Sequence, residues 1–575
     1  MSEDSYSQEN QINFDQLRRF WLATGVLAAL RGIDRLGLTA YLVVMFRPTS
    51  PQLGLFSVGN CLDETKRARL QKSWAHQFRC AALQLIDEDR FAKFFDKDNG
   101  RPNKSVRQVV GVLVLKDVFD LTDEQALEQL EWNAAWHYAL DVLPEEAHAC
   151  QKTLHNYREL LLQDGEGSGL FESMTGRLLA AAGLNTRRQR QDSTHILSNI
   201  RLLTRLGLFV QTITQFLERL RGEHPRLCGE VVAELWERYL DREGYFADAR
   251  SSEAPRRLAQ TALDVYHLVR QFADHRSVSG MEAFALLQRL YNDQCVPPTT
   301  EVPIQIELQE RPSSSSLQSP SDPDVTYGHK GKGYEAQLVE TCGEDNPFEV
   351  VTAVSVNGSN ESDQQHVLPI LDQVARTCGT TPETLHTDAG YASGENIVGA
   401  EKRGTDLRAP IGSKGPSEES ASVGDFDFDE TRTTVLTCPM GEAPVAHERP
   451  GKLTILAIFS GERCDACPFL DKCPVQRRGD RLVFPFRIAD VAVAQRRQDQ
   501  ATPEFKEQHK IRSGIEATNS ELKRCHGFGK LRVRGRPRVT LAVHLKVLAL
   551  NVKRYVGHLA QAAVATADPV PTCAC

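Results

Sequence analysis

A change of hydrophobic period near residue 324 constrains this chain more than any other feature. Before it, apolar residues recur at helical spacing. Residues 106–119 read as a buried helix, preceded by a turn at Gly100-Arg101-Pro102 and followed by a capped helix start at Thr122-Asp123-Glu124-Gln125. The same period returns from Ile200 to about Leu290, through Leu203, Leu206, Phe209, Val210, Ile213, Phe216 and Leu217. After 324, residues 334–340 and 348–356 alternate with period two around a turn at 343–347. A helix at 364–377, short strands at 384–387 and 405–411, and a helix at 503–524 follow. The last helix, 539–555, has a core stripe at 541, 545, 548, 552 and 555. This order predicts an α/β fold: a mixed sheet with long insertions, behind an all-α N-terminal region. The Ser/Pro-rich stretch 310–324 reads as a linker or mobile loop.

With 575 residues, three or four domain-sized units are expected. The apolar runs 20–30 and 36–46 are each too short to span a bilayer, and Arg31, Asp34 and Arg35 divide them, so no membrane partner is expected. No signal peptide is visible, which predicts a cytoplasmic chain whose fourteen cysteines are reduced thiols or metal ligands. A net charge of −8 argues mildly against nucleic acid, but charge is unevenly spread. Between Lys523 and Arg538 stand seven basic residues and no acidic one; Arg187, Arg188 and Arg190 form a second basic knot, and acidic residues gather at 418–430.

Cys438, Cys464, Cys467 and Cys473 fall within 36 residues, three of them followed by proline. Four thiolates suit a closed tetrahedral Zn²⁺ site that supplies folding energy and leaves no position for catalysis. A redox C-x-x-C is the rival reading, and this pair is not expected at a strand–helix junction.

Three carboxylates invite chemistry. In I-R-S-G-I-E-A-T-N-S-E-L-K-R (511–524), helical spacing puts Glu516 and Lys523 about 40° and about 20° from Arg512, so one carboxylate stands between two cations. A salt-bridged surface helix fits equally. Gly514 in that run points to a close backbone approach. Asp388, in H-T-D-A-G-Y (386–391), closes a predicted strand, where catalytic side chains are common, or caps the helix near 393–398. Asp192, in D-S-T-H-I (192–196), follows R-R-Q-R-Q, which is too polar to read as a buried strand, so an N-cap explains it as well. His195 is a ligand, a base or a structural histidine.

Together these three motifs resemble the catalytic signatures of DDE transposases, specifically bacterial insertion-sequence enzymes with a Y-x2-R-x3-E-x6-K signature. Also similar are D-P-D-V-T-Y-G-H-K-G-K-G-Y-E-A-Q (322–337), the four-cysteine insert, residues 531–555 and a helical segment near 80–165. The resemblance implies a ribonuclease H-like core in which Asp192, Asp388 and Glu516 bind two Mg²⁺ (or Mn²⁺) ions. Arg512, Lys523, Lys530, Arg532 and Arg534 would contact DNA. His509 stands where the signature has tyrosine and would also face DNA. The implied partners are terminal inverted repeats, target DNA and further copies of the chain, in a nucleoid-associated setting. The implied domains are a DNA-end-binding region (1–185), core segments (186–198 and 325–412), a helical insertion with linker (199–324), a zinc insertion (413–499), a catalytic helix with basic segment and C-terminal helix (500–556), and a flexible tail (557–575). The alternative is a catalytically inactive, domesticated zinc-containing DNA-binding protein.

Overall fold

The computed structural model describes residues 44–49, 58–96, 101–165, 167–241, 253–298, 305–412 and 420–565. The apolar run 20–30, Gly100 and the end of the chain from 566 lie outside these, as do parts of the run 36–46 and of the acidic stretch 418–430. Two compact units result. The smaller comprises, of the described residues, 44–49, 88–96 and 101–106. In it Val44–Met45 pairs in parallel with Arg101–Pro102, so the latter residues are extended rather than a turn. Among the described residues no helix is long and apolar enough to cross a membrane.

The larger unit takes in residues 58–87, with a helix at Glu64–Gln71, and continues through helices α1 (Val106–Val118), α2 (Asp123–Trp132), α3 (Gln151–Gln163) and α4 (Ser168–Ala182). Thr122 and Gln125 form a full capping box at the start of α2, as their spacing predicts. Strand β1 (Arg188–Ile196) follows, contrary to the reading of 187–191 as too polar for a buried strand. Partners on other strands of the sheet allow its polar side chains at 189 and 190 to be buried. Arg190 Nε donates to Glu340 Oε1 at 2.7 Å, and Gln189 Oε1 accepts from Thr352 Oγ1 at 2.5 Å.

Helices α5 (Arg205–Glu223), α6 (Ala254–Phe272) and α7 (Glu282–Gln294) form their own apolar core around Phe216, Phe272 and Phe284. Residues 313–325 are no mobile linker. Leu317 is fully buried in that helical core, its N–H donates to Asp293 Oδ2 at 2.8 Å, and Arg289 binds the carbonyls of Ser315 and Pro323. The serines and prolines permit a tight path whose backbone groups the α7 side chains satisfy.

Then come β2 (Thr326–Gly328), β3 (Gly331–Thr341), β4 (Val351–Gly358), helix α8 (Val367–Cys378), β5 (Thr384–His386), α9 (Gly394–Glu401) and β6 (Asp406–Arg408). The sheet runs β6-β5-β1-β3-β2, with β4 also on β3. Strand β3 is antiparallel to β1, β2 and β4, whereas β1, β5 and β6 are parallel. Val339, Ala353, Leu385 and Leu407 of the sheet pack on Ile370, Leu371 and Val374 of α8 and Ile397 of α9.

A four-stranded antiparallel sheet, β7 (Ala446–Glu448), β8 (Ile455–Phe459), β9 (Gln476–Arg478) and β10 (Arg481–Phe486), carries the cysteine insert. Helix α10 (Ile488–Asp499) leads back to the first sheet. The helix expected over 503–524 is broken into α11 (Pro503–His509), a 3₁₀ turn (Lys510–Gly514) and α12 (Ile515–Cys525). The final helix, α13 (Arg536–Ala565), is longer than expected and takes in the first part of the predicted tail, 557–565. It is buried on nearly every side from Val539 to Val552 rather than along one stripe. Asn551 locks it to β4 through both backbone groups of Val351, at 2.9 and 2.8 Å.

Candidate active site

Asp192 lies mid-strand in β1, opposite Leu338, and is therefore no N-cap. Asp388 follows β5 directly; its Oδ1 accepts from the Gly390 N–H at 2.7 Å, so it does cap a short turn, at 389–391. Glu516 sits in the first turn of α12. The three meet on one guanidinium. Arg512 Nη2 is 3.2 Å from Asp192 Oδ1 and 3.6 Å from Asp388 Oδ2, and its Nη1 is 3.6 Å from Glu516 Oε1. Side-chain exposure rises from 14% at Asp192 through 42% at Asp388 to 66% at Glu516, so the group opens toward solvent along one side. Burial pushes the Asp192 carboxyl up, Arg512 pulls it down, and Asp388 adds to the rise.

Other groups frame the carboxylates. Asn519 Nδ2 donates to Asp192 Oδ2 at 3.0 Å. Its position three residues after Glu516 puts it on the same helical face, a signal present in the sequence but not used. Lys523 is depressed by burial and by the charge of Lys330, while Asp192 opposes this, which places both lysines beside Asp192. His509 stacks on Phe505 with centroids 5.8 Å apart; burial and Arg512 lower its pKa while Asp388 opposes. The histidine thus stands at the edge of the same site.

The geometry depends on a buried network beneath it. Arg190 pairs with Glu340 at 2.6 Å and donates through Nη1 to the Ile511 carbonyl at 2.9 Å. Thr518 Oγ1 of α12 donates to the other Glu340 oxygen at 2.6 Å, and Arg554 of α13 donates to Thr518 Oγ1 at 2.8 Å. A Cβ on Gly514 would overlap the Arg190 guanidinium, so the close approach at Gly514 is made by this arginine. Sequence reasoning missed Arg190 and Glu340, because each looks like a surface residue until the other is placed beside it.

Of the basic segment, Arg532 donates to the carbonyls of Leu121 and Asp120, and Arg534 to that of Asn199. Lys530, Arg532 and Arg538 line a cavity of about 380 Å³ together with Lys116, Arg158 and Lys546.

In the insert, Cys438, Cys464, Cys467 and Cys473 line one small pocket with Met440, Phe459 and Phe469. Cys464 does follow a strand–helix junction (Ile455–Phe459, then Gly461–Asp465), which corrects that part of the sequence reading. The other two cysteines join it there, unlike an isolated redox pair. Burial raises the Cys464 pKa, and the other three thiols raise it further, so a deprotonated set would need a cation among them. Among the described residues, no group of three or more His, Cys, Asp or Glu side chains is placed closely enough to hold a metal ion outright.

Two protein-family models match the chain: the Transposase DDE domain over residues 437–556, and the Transposase domain DUF772 over residues 69–160. These two matches support a DDE transposase of insertion sequences. The first match spans the four cysteines, Arg512, Glu516 and Lys523 of this transposase, and the second its helical segment from 69 to α3; Asp192 and Asp388 lie outside both. No curated protein and no solved structure matches the transposase.

Proposed function

We propose that this transposase cuts DNA at the ends of an insertion sequence and joins those ends to target DNA, with Asp192, Asp388 and Glu516 as the catalytic carboxylates. The observation that carries this reading is the convergence of all three on one guanidinium, within 3.6 Å. A place where three carboxylates hold a single cationic group suits divalent metal, and oxygen ligands suit Mg²⁺ or Mn²⁺. Bound there, two such ions would activate the attacking oxygen and stabilise the leaving one.

The protein's own groups do the rest. Arg512 and Lys523 bind phosphate oxygens beside Asp192, Asn519 orients the Asp192 carboxylate, and His509 contacts DNA at the rim. Water displaces the 3′ oxygen of the cleaved bond to free a 3′-hydroxyl; that hydroxyl then displaces at a target phosphodiester. One site serves both displacements because the reacting group is the same. The rising exposure from Asp192 to Glu516 leaves room for a polymer.

Strand order β6-β5-β1-β3-β4, with β1 parallel to β5 and antiparallel to β3, supports a ribonuclease H-like assignment for the sheet. The four cysteines would hold a structural Zn²⁺, with no part in the chemistry. Residues 1–185 would bind the element's terminal repeats, and further copies of the chain would assemble on them. The presence of all three carboxylates favours this over a catalytically inactive DNA-binding protein.

The test is cleavage of a plasmid carrying the coding sequence with its own flanking DNA, in Mg²⁺. Asp388→Asn and Glu516→Gln should abolish end cleavage and leave DNA binding largely intact. Normal cleavage by both variants would refute the assignment.

A further inference from the structure

The stretch 322–337 contributes no carboxylate or cysteine ligand to the sites above, yet its glycines are strictly required. Strands β2 and β3 pair Gly328 with Gly331, so His329 and Lys330 form a two-residue turn. Gly331 and Gly333 have φ of 110° and 152°, open to glycine and strained for other residues. A Cβ on Gly328 would overlap the Ser359 carbonyl, and one on Gly333 would stand 2.7 Å from His195 Nε2. The hairpin therefore lies flat against β1 and β4 with no room for side chains beneath it. It is also tied down. His195 Nε2 donates to the Lys332 carbonyl at 3.1 Å, Lys332 Nζ donates to the Leu203 carbonyl at 2.8 Å, and Tyr334 Oη donates to Asp322 Oδ1 at 2.8 Å.

What this fastening positions is Lys330. Its Nζ donates to Ser193 Oγ at 2.8 Å, next to Asp192, and lies 3.5 Å from Glu335 Oε2. Its side chain remains 39% exposed. Lys523 reaches the same place from α12, and the two cations act on each other and on Asp192. Lys330 and Lys523 bring two ammonium groups to Asp192 and Glu335, donors that can turn to a phosphate oxygen entering beside Asp192. Arg512 reaches Asp192 directly as well, with the same nitrogen that faces Asp388.

We propose that Lys330 is a DNA-contacting residue of the cleavage site, its ammonium set by the β2–β3 hairpin to meet a non-bridging oxygen of the phosphodiester beside Asp192, in company with Lys523. The proposal rests on the reading of Asp192 and Asp388 as the cleavage site. It gives the glycine-rich hairpin its purpose: a rigid arm for one charge.

The test uses the full chain and labelled duplex DNA from the gene's own flanks. Lys330→Gln keeps a donor for Ser193, and Lys330→Arg keeps the charge; melting curves confirm that both fold. Binding is measured without divalent metal over a range of salt. Lys330→Gln should flatten the plot of log affinity against log salt by about one unit of slope. It should also slow plasmid cleavage about a hundredfold, with Lys330→Arg largely restoring both. A wild-type slope and wild-type cleavage for Lys330→Gln would overturn the proposal. Asp388→Asn in the same assay separates the two failures: if it still cleaves, the site itself is misassigned; if it is inactive while Lys330→Gln cleaves normally, only Lys330 is.

Discussion

Arg190 Nη1 donates to the Ile511 carbonyl at 2.9 Å, and it does so across the bare backbone of Gly514. The segment that leads into the Glu516 helix is therefore seated on the sheet by an arginine that occupies the space a side chain at 514 would need.

Replacing Gly514 with alanine should destabilise the protein. In an ordinary helix this change stabilises by about 1 kcal/mol. Here the added methyl overlaps a buried, ion-paired guanidinium, and overpacking of this kind costs about 1–3 kcal/mol. Denaturant midpoints decide the sign. Cleavage should fall as well, since Arg512 is only two residues away.

Arg512→Ala should make the protein more responsive to metal. The guanidinium holds the same three carboxylates that would bind a divalent ion, so the two compete. Without Arg512 the metal-free protein should melt lower, and added Mg²⁺ should raise its melting temperature further than in the wild type. An identical Mg²⁺ response in both proteins would show that Arg512 and metal do not share these oxygens. Cleavage should drop about a hundredfold through loss of a phosphate contact.

Metal analysis of the purified protein should find one Zn²⁺ per chain. Cys464→Ser with Cys467→Ser should remove it and increase protease sensitivity within the insert, whose core includes Phe426, Phe459 and Phe484 packed against the cysteines. Full metal content in the double variant would refute the four-thiol site.

Cys295, Cys342 and Cys378 are each pushed up to about 12 by burial, above the usual thiol value of 9.0. A folded pKa above the unfolded one means stability is fully present below pH 9 and is lost as pH rises from 9 toward 12. The slope approaches about 1.4 kcal/mol per pH unit for each thiol. Cys378→Ala should reduce it. At pH 8, iodoacetamide should label the exposed Cys61, Cys80, Cys150 and Cys525 and spare these three until the protein unfolds.

Periodicity made the helices and most of the strands legible, because they bury apolar residues in the usual way. Strand β1 was not legible, since Gln189, Arg190 and Gln191 become core residues only when Thr352, Glu340 and Gln337 stand opposite. The same blindness applied to 313–325, where Leu317 is the only large apolar residue in the buried stretch before Val325 and its anchors lie on α7. At the candidate site, helical arithmetic brought Arg512 and Glu516 together even though a 3₁₀ turn precedes the helix, because neighbours four apart remain close in either form. It could not reveal that Arg512 also reaches Asp192 on β1 and Asp388 in the turn after β5.

Asp192 and Arg512 are 320 residues apart in the chain, and the partners of β1 are spread from Lys330 to Asn519. A ribosome must therefore make nearly the whole protein before the first carboxylate has its surroundings. A product truncated before the 3₁₀ turn at Lys510–Gly514 would carry Asp192 and Asp388 without Arg512 or Glu516. Incomplete translation would leave the three proposed catalytic carboxylates unassembled.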